Sequence, residues 1–270
     1  MTPAEKMPVM LTFDLDAETL WLARDANSAD KPIWLSQGRY GPREGLPRIL
    51  ALLKEHDIRA TFFIPGLVVE RYPRQVETIV ADGHEVSHHS YSHRWLEGMS
   101  EADERQEMER GTAAIEKATG RTPVGYRSPA GEFSEHTLRL LVEYGFLYSS
   151  NLYDADSPYL LEYNGQPTQI VEIPFAWALD DAPFFLYSNR LPGRVMAAPS
   201  AVLETWVREF DGLVRESRRT FTLAMHPQVI GRPSRMWVLG ELIRHIEAAG
   251  GARFARCGEV ADEFRSRLSA

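Results

Sequence analysis

PVMLTFDLD, residues 8–16, is the stretch on which the fold turns. Pro8 to Phe13 is short, uncharged and rich in apolar side chains, and it breaks off at two aspartates, Asp14 and Asp16. An uncharged run of that length is what a strand covered on both faces requires. Side chains two apart in an extended segment share a face, so both carboxylates are expected to point to one place at the strand end. In a barrel of parallel strands, that end carries the active-site loops. A lone pair of aspartates is equally at home in a solvated surface turn. The remaining strand ends therefore decide how the pair is read.

Further strand-like runs follow: ATFFI from Ala60, HEVSH from His84, VGYR up to Arg127, FLYSS from Phe146, IVEI from Ile170, FTLAM from Phe221 and ARFA from Ala252. Between them, Leu46, Ile49, Leu50 and Leu53 keep helical spacing, as do Leu203, Trp206, Val207 and Phe210, and Leu239, Leu242, Ile243 and Ile246. The alternation predicts a parallel α/β architecture, with one domain spanning residues 1–270. Ser100, Ser134 and Ser234 stand where helix N-caps are expected, and Gly145 and Gly250 where helices end. Two stretches break the rhythm: residues 17–41, and residues 154–168 with a continuation over 176–199. Both are rich in aromatic, Gly, Pro and Asn/Asp residues, and they read as irregular insertions that wall a substrate site.

The composition, 44% hydrophobic and 25% charged over 270 residues, is that of an ordinary globular protein. A net charge of -8 offers no basic footprint for nucleic acid and no cationic helix for a membrane surface. The single cysteine, Cys257, excludes an internal disulfide framework, and the first residues lack a secretory pattern. A cytoplasmic protein without nucleic-acid or membrane partners is expected.

The segment GHEVSHHSYSH, residues 83–93, holds four of the eight histidines: His84, His88, His89 and His93. Two histidines four apart can meet on one side of a turn, and neutral imidazole is a preferred ligand for zinc, with iron, cobalt and nickel as alternatives. Both His84 with His88 and His89 with His93 have that spacing. If HEVSH is the strand, His89 and His93 fall at the rim beside the two aspartates, and the second pair is preferred. His88 is then either a partner behind the ligands or a strand terminus. Two nitrogens and the Asp16 carboxylate leave a coordination position open for water, and Asp14 can accept that water's proton. His226 ends the run FTLAM at the same rim and is placed to protonate a leaving nitrogen, although a His-Pro pair alone is weak evidence. Arg127 ends another run, where it can pair with Asp14 and keep it ionised and oriented, or else make an ordinary surface ion pair.

LTFDLD, HHSYSH, RSPAG and AMHP occur in the order found in the polysaccharide deacetylase family of NodB homology, which the chain resembles from Leu11 to about Met236. The blocks DLDAETLWL, LSQGRYG, GLPRIL, ATFFIPG, VEIPFAWALDD and HPQVIGRP look closest to its cytosolic branch of peptidoglycan-deacetylase-like, cyclic imide hydrolase and allantoinase-like proteins. The resemblance implies a distorted (β/α) barrel of about seven strands. It implies Asp14 as base, His226 as acid and Arg127 as the partner that tunes the base. It further implies a divalent metal, zinc first, on Asp16, His89 and His93. A homo-oligomer, dimer or tetramer, whose residues 21–40 help cover a neighbour's site is implied as well. Where the family often has an aspartate after the tyrosine of its fourth motif, this chain has Ser149, so support for His226 must come from elsewhere, with Asp180 and Asp181 as candidates. The expected activity is hydrolysis of a carbon–nitrogen amide bond, in an N-acyl amino sugar or in a small cyclic imide or ureide. A non-catalytic carbohydrate-binding protein is disfavoured because every position needed for hydrolysis holds a competent residue. A sugar isomerase would need more carboxylates at strand ends.

Overall fold

The computed structural model describes residues 6–187 and 195–268. Its order follows from the period-2 alternation of its first strand, β1 (Met7–Asp14). Val9, Leu11, Phe13 and Leu15 face one way, into the main apolar core, while Met10, Thr12, Asp14 and Asp16 face the other. The first helices follow: α1 (Thr19–Arg24), α2 (Pro32–Tyr40) and α3 (Leu46–Glu55), the last burying Leu46, Ile49, Leu50 and Leu53. β2 (Thr61–Ile64), α4 (Gly66–Arg71), α5 (Pro73–Ala81), β3 (Glu85–His88) and α6 (Glu101–Thr119) continue the alternation. Next come β4 (Gly125–Tyr126), α7 (Thr137–Glu143), β5 (Tyr148–Ser149), and a hairpin of β6 (Tyr159–Tyr163) with β7 (Gln166–Glu172). The chain ends with α8 (Ala182–Phe185), α9 (Pro199–Leu213), β8 (Phe221–Met225), α10 (Pro227–Ile230), α11 (Pro233–Ala249), β9 (Ala252–Phe254) and α12 (Cys257–Leu268).

The strands form one curled sheet in the order β6-β7-β5-β4-β3-β2-β1-β8, with β9 paired to the start of β1. Among the described residues, β1–β5, β7 and β8 run in one direction and bring seven carboxyl ends to one rim. This is the distorted barrel expected. β6 is an antiparallel edge strand, and β9 supports the opposite end. The concave face is filled by Met10, Phe63, Tyr148, Val171, Ile173 and side chains of α12, so that end is packed core rather than pore.

Some local expectations need correction. Residues 17–41 are not irregular: they hold α1, a 3-10 turn, α2 and the start of a wide turn of helix that leads into α3. Residues 154–168 are mostly the β6–β7 hairpin, whose two-residue turn is Asn164-Gly165, both with positive φ. Residues 188–194 of the third stretch lie outside the described residues. Ser100 caps α6 by accepting from the Asp103 N–H. Ser134 sits ahead of α7 and accepts from the His136 N–H, while Ser234 lies inside α11, which starts at Pro233 because that ring presets the first helical φ. Gly145 and Gly250 end their helices at φ 72° and 68°. No helix among the described residues is long and apolar enough to cross a membrane.

Candidate active site

Register and alternation together assemble the rim. Phe13 pairs with Met225, so the next residues, Asp14 and His226, lie side by side. His88 pairs with Tyr126, so His89 and Arg127 are level one step on, both on the concave face. Alternation also separates the adjacent histidines. His88 turns outward between Tyr126 and Phe146, donates from Nε2 to the Met108 carbonyl at 3.1 Å and accepts the Ser90 N–H on Nδ1. Both of its nitrogens are used, and burial lowers its pKa to about 4, so His88 is a neutral structural residue. His84 is likewise committed, accepting the Ala60 N–H.

His89 turns inward. Its Nδ1–H donates to the Arg127 carbonyl at 2.7 Å, which turns Nε2 toward Asp16 Oδ1 at 3.4 Å. His93 Nε2 reaches the same oxygen at 3.6 Å. All three side chains are buried, and Asp16 Oδ1 has no hydrogen-bond partner. A buried carboxylate oxygen without a donor is costly unless a cation completes it. Donors held about 2.0–2.2 Å from a tetrahedral ion lie roughly 3.3–3.6 Å apart, which is the spacing here. The second Asp16 oxygen accepts from Gln228 Nε2 at 3.3 Å, so the carboxylate is pinned from one side and open on the other. Burial raises the Asp16 pKa, yet His93, His89 and His226 together overcome that and hold the group well below the usual carboxylate range. The residues fit a divalent cation.

Arg127 meets Asp14 Oδ1 at 2.9 Å through Nη1, which also donates to Thr12 Oγ1, while Nε and Nη2 bind the Ser150 carbonyl and hydroxyl. Its guanidinium is thus fixed on every side, and Asp14 inherits that orientation. Neither side chain belongs to a surface ion pair, since both are buried.

His226 presents Nε2 3.8 Å from Asp16 Oδ2. Its Nδ1 meets Asp181 Oδ1 at 2.7 Å, and Asp181 Oδ2 accepts its backbone N–H at 3.0 Å. Burial alone would depress the imidazole pKa; Asp181, then Asp180 and Asp16, outweigh it and raise the value well above the ordinary one. Asp180 lies farther off, 3.9 Å from Nδ1, and burial pushes its carboxyl up to about 7 against the pull of His226. The aspartate pair reaches His226 because its segment bridges β8, with the Asp181 N–H donating to the Ala224 carbonyl. Ser149, which stands where the family the chain resembles often has an aspartate, accepts from Asn151.

These groups open onto a cavity of about 240 Å³. Asp14, His89, His93, Arg127 and His226 form its floor. Leu20, Trp95, Tyr153, Phe175, Trp177 and Leu186 are among its walls. Residues 17–41 and 176–199 therefore do contribute walls. None of the described residues in 154–168 lines the cavity. Gln228, Asn151 and Ser150 were not singled out in the sequence; only Gln228, two positions after His226, carried a local signal.

The family model for polysaccharide deacetylase matches residues 25–149, and the chain is 32% identical to the peptidoglycan deacetylase of Helicobacter pylori over 98% of both chains. The protein belongs to the polysaccharide deacetylase family. A solved structure from Mycobacterium smegmatis classed with polysaccharide deacetylases superposes with a TM-score of 0.93 at 36% identity, covering 99% of this chain and 93% of that one. The Puue allantoinase structure superposes with a TM-score of 0.84 at 26% identity, covering 96% of this chain and 90% of that one. Membership makes this family member a hydrolase of amide bonds, as its residues had implied.

Proposed function

We propose that the protein is a zinc-dependent amide hydrolase acting on one small N-acyl unit, with Asp16, His89 and His93 as metal ligands. The observation that carries this reading is the unpartnered Asp16 Oδ1 facing two imidazole nitrogens, directly beside the Asp14–Arg127 and His226–Asp181 pairs. Two imidazoles and one carboxylate suit zinc better than a hard cation. When bound, the cation supplies Lewis acidity, lowering the pKa of water and polarising the scissile carbonyl. Asp14, oriented by Arg127, takes the proton from the attacking water. His226 holds a proton on Nε2 and delivers it to the leaving nitrogen. Asp181 keeps the ring in place through Nδ1 and balances the imidazolium charge.

A cavity of about 240 Å³ has room for one sugar unit or one small ring beside the floor residues. Its aromatic walls, with Tyr153 and Trp177 stacked 5.0 Å apart, also suit a flat ring, which favours a cyclic imide or ureide as a second reading. The two readings separate in one experiment: acetate release from N-acetylglucosamine and its oligomers measured beside ring opening of small cyclic imides. Acetate release alone would remove the imide reading. Ring opening alone would remove the sugar. No zinc-dependent turnover of either would overturn the proposed function.

A cytoplasmic setting agrees with the single, buried Cys257. Assembly into a homo-oligomer is also part of the proposal. Ile33 on α2, 79% exposed, lies within residues 21–40, the segment proposed to cover a neighbour's site, and light scattering of the Ile33→Glu variant tests the assembly.

A further inference from the structure

β3 delivers His89 directly, but His93 lies four residues farther on, in a loop without regular structure. That loop is strained. Ser90 and His93 have φ of 62° and 63°, in the left-handed region that residues with a β-carbon enter at a cost of about 1 kcal/mol or more. A conformation of this kind persists only when its surroundings over-determine it.

The restraint comes from one side chain on α6. Glu107, buried at 7% exposure, turns its carboxylate into the loop. Its Oε2 accepts the Ser90 hydroxyl at 2.7 Å, the Tyr91 N–H at 3.1 Å and the Ser92 N–H at 2.7 Å. Its Oε1 accepts the Ser92 hydroxyl at 2.7 Å. All four donors lie between the two histidines. α6 approaches this closely because Gly111 has no side chain: a β-carbon there would sit 2.9 Å from the Ser90 carbonyl oxygen and would collide with His88 Nε2.

We propose that Glu107 is a positioning residue for the cation site: its carboxylate clamps residues 90–92 so that His93 is presented to Asp16 and His89. The proposal rests on the reading of those three residues as ligands. The clamp acts by hydrogen-bond geometry rather than by charge at the metal. An amide in its place can keep every bond, since its oxygen can take the three Oε2 contacts and its NH2 can donate to the Ser92 hydroxyl. Alanine leaves the buried Tyr91 N–H and the part-buried Ser92 N–H without this partner and releases the loop. Removing a group that orients a metal ligand typically lowers metal affinity about 10–100-fold.

The test is zinc affinity, read by competition with a chromogenic chelator on metal-stripped full-length protein, with the melting temperature of each metal-free variant measured alongside. Glu107→Ala should bind zinc about 10–100-fold more weakly while still folded, and Glu107→Gln should stay within about threefold of wild type. Ser92→Ala, a milder change that remains informative if the alanine variant fails to fold, should lose severalfold. Unchanged affinity in folded Glu107→Ala or in Ser92→Ala would overturn the clamp. An equal loss in Glu107→Gln would overturn its geometric form. If wild-type affinity does not fall in His93→Ala, the ligand assignment itself is wrong and the clamp fails with it. If His93→Ala weakens binding and Glu107→Ala does not, only the clamp fails.

Discussion

Asp181 holds His226 at two points, its Oδ1 on the ring Nδ1 and its Oδ2 on the backbone N–H. A carboxylate that grips both the ring and the chain behind it leaves the imidazole one tautomer and one direction, with Nε2 turned to the cavity. The same negative charge raises the imidazole pKa against the effect of burial.

Asp181→Asn therefore tests more than shape. The amide is nearly isosteric, but it removes the charge and can donate to Nδ1, which reverses the tautomer. Turnover should fall by about two to four orders of magnitude. A general acid must be protonated to act, so lowering the His226 pKa moves the alkaline limb of the pH–rate profile toward lower pH. An unmoved limb would show that Asp181 does not set the protonation of His226.

Asp14 should be separable from the proposed cation site, because it meets Arg127 and is not one of the three clustered residues that could hold the ion. Asp14→Asn keeps an oxygen for the Arg127 N–H. Zinc content and melting temperature should stay near wild type while turnover drops by about two or more orders of magnitude, as loss of a general base implies. Loss of zinc together with rate would make Asp14 a ligand instead.

Much of this site was legible in the sequence for a physical reason. Asp14, Asp16, His89, Arg127 and His226 stand at strand ends, and strand alternation fixes their direction once the strands are found. What escaped was set by tertiary contact. Asp181 reaches His226 across 45 positions because its segment bridges β8, and Glu107 meets the loop of residues 90–92 only because α6 packs closely at Gly111. Sequence narrowed the first to Asp180 or Asp181 and offered nothing for the second. IVEI from Ile170 marked the end of β7, but β6 and the hairpin turn escaped for another reason. Asn164-Gly165 is a strong two-residue turn signal, but aromatic and polar residues around it obscured the alternation.

His88 gives the fold a dependence on pH that is separate from catalysis. Buried and neutral, with its pKa lowered to about 4, it binds fewer protons in the native state than in the unfolded chain between about pH 6.5 and 4. Native stability from this group is therefore complete above about pH 6.5, falls as pH drops through that window, and levels off below about pH 4. The slope from one such group approaches, but does not exceed, about 1.4 kcal/mol per pH unit. Urea unfolding of the metal-free protein at several pH values should show a slope to which His93, also lowered to about 4 by burial, contributes in the same sense, and His88→Gln should make it less steep even if the variant is less stable throughout.

Trp177 should separate binding from chemistry. It lines the cavity but is 51% exposed, and it contributes a face stacked on Tyr153 rather than a polar atom near the floor. Truncation to alanine removes wall surface that contacts ground state and transition state alike, and loss of such uniform binding raises KM without lowering kcat. Aromatic pairing and apolar contact of this kind are worth about 1–2 kcal/mol, so KM should rise roughly 5–30-fold. The effect should be largest for whichever substrate class the wild type turns over, and a fall in kcat at constant KM would place Trp177 in the reaction itself.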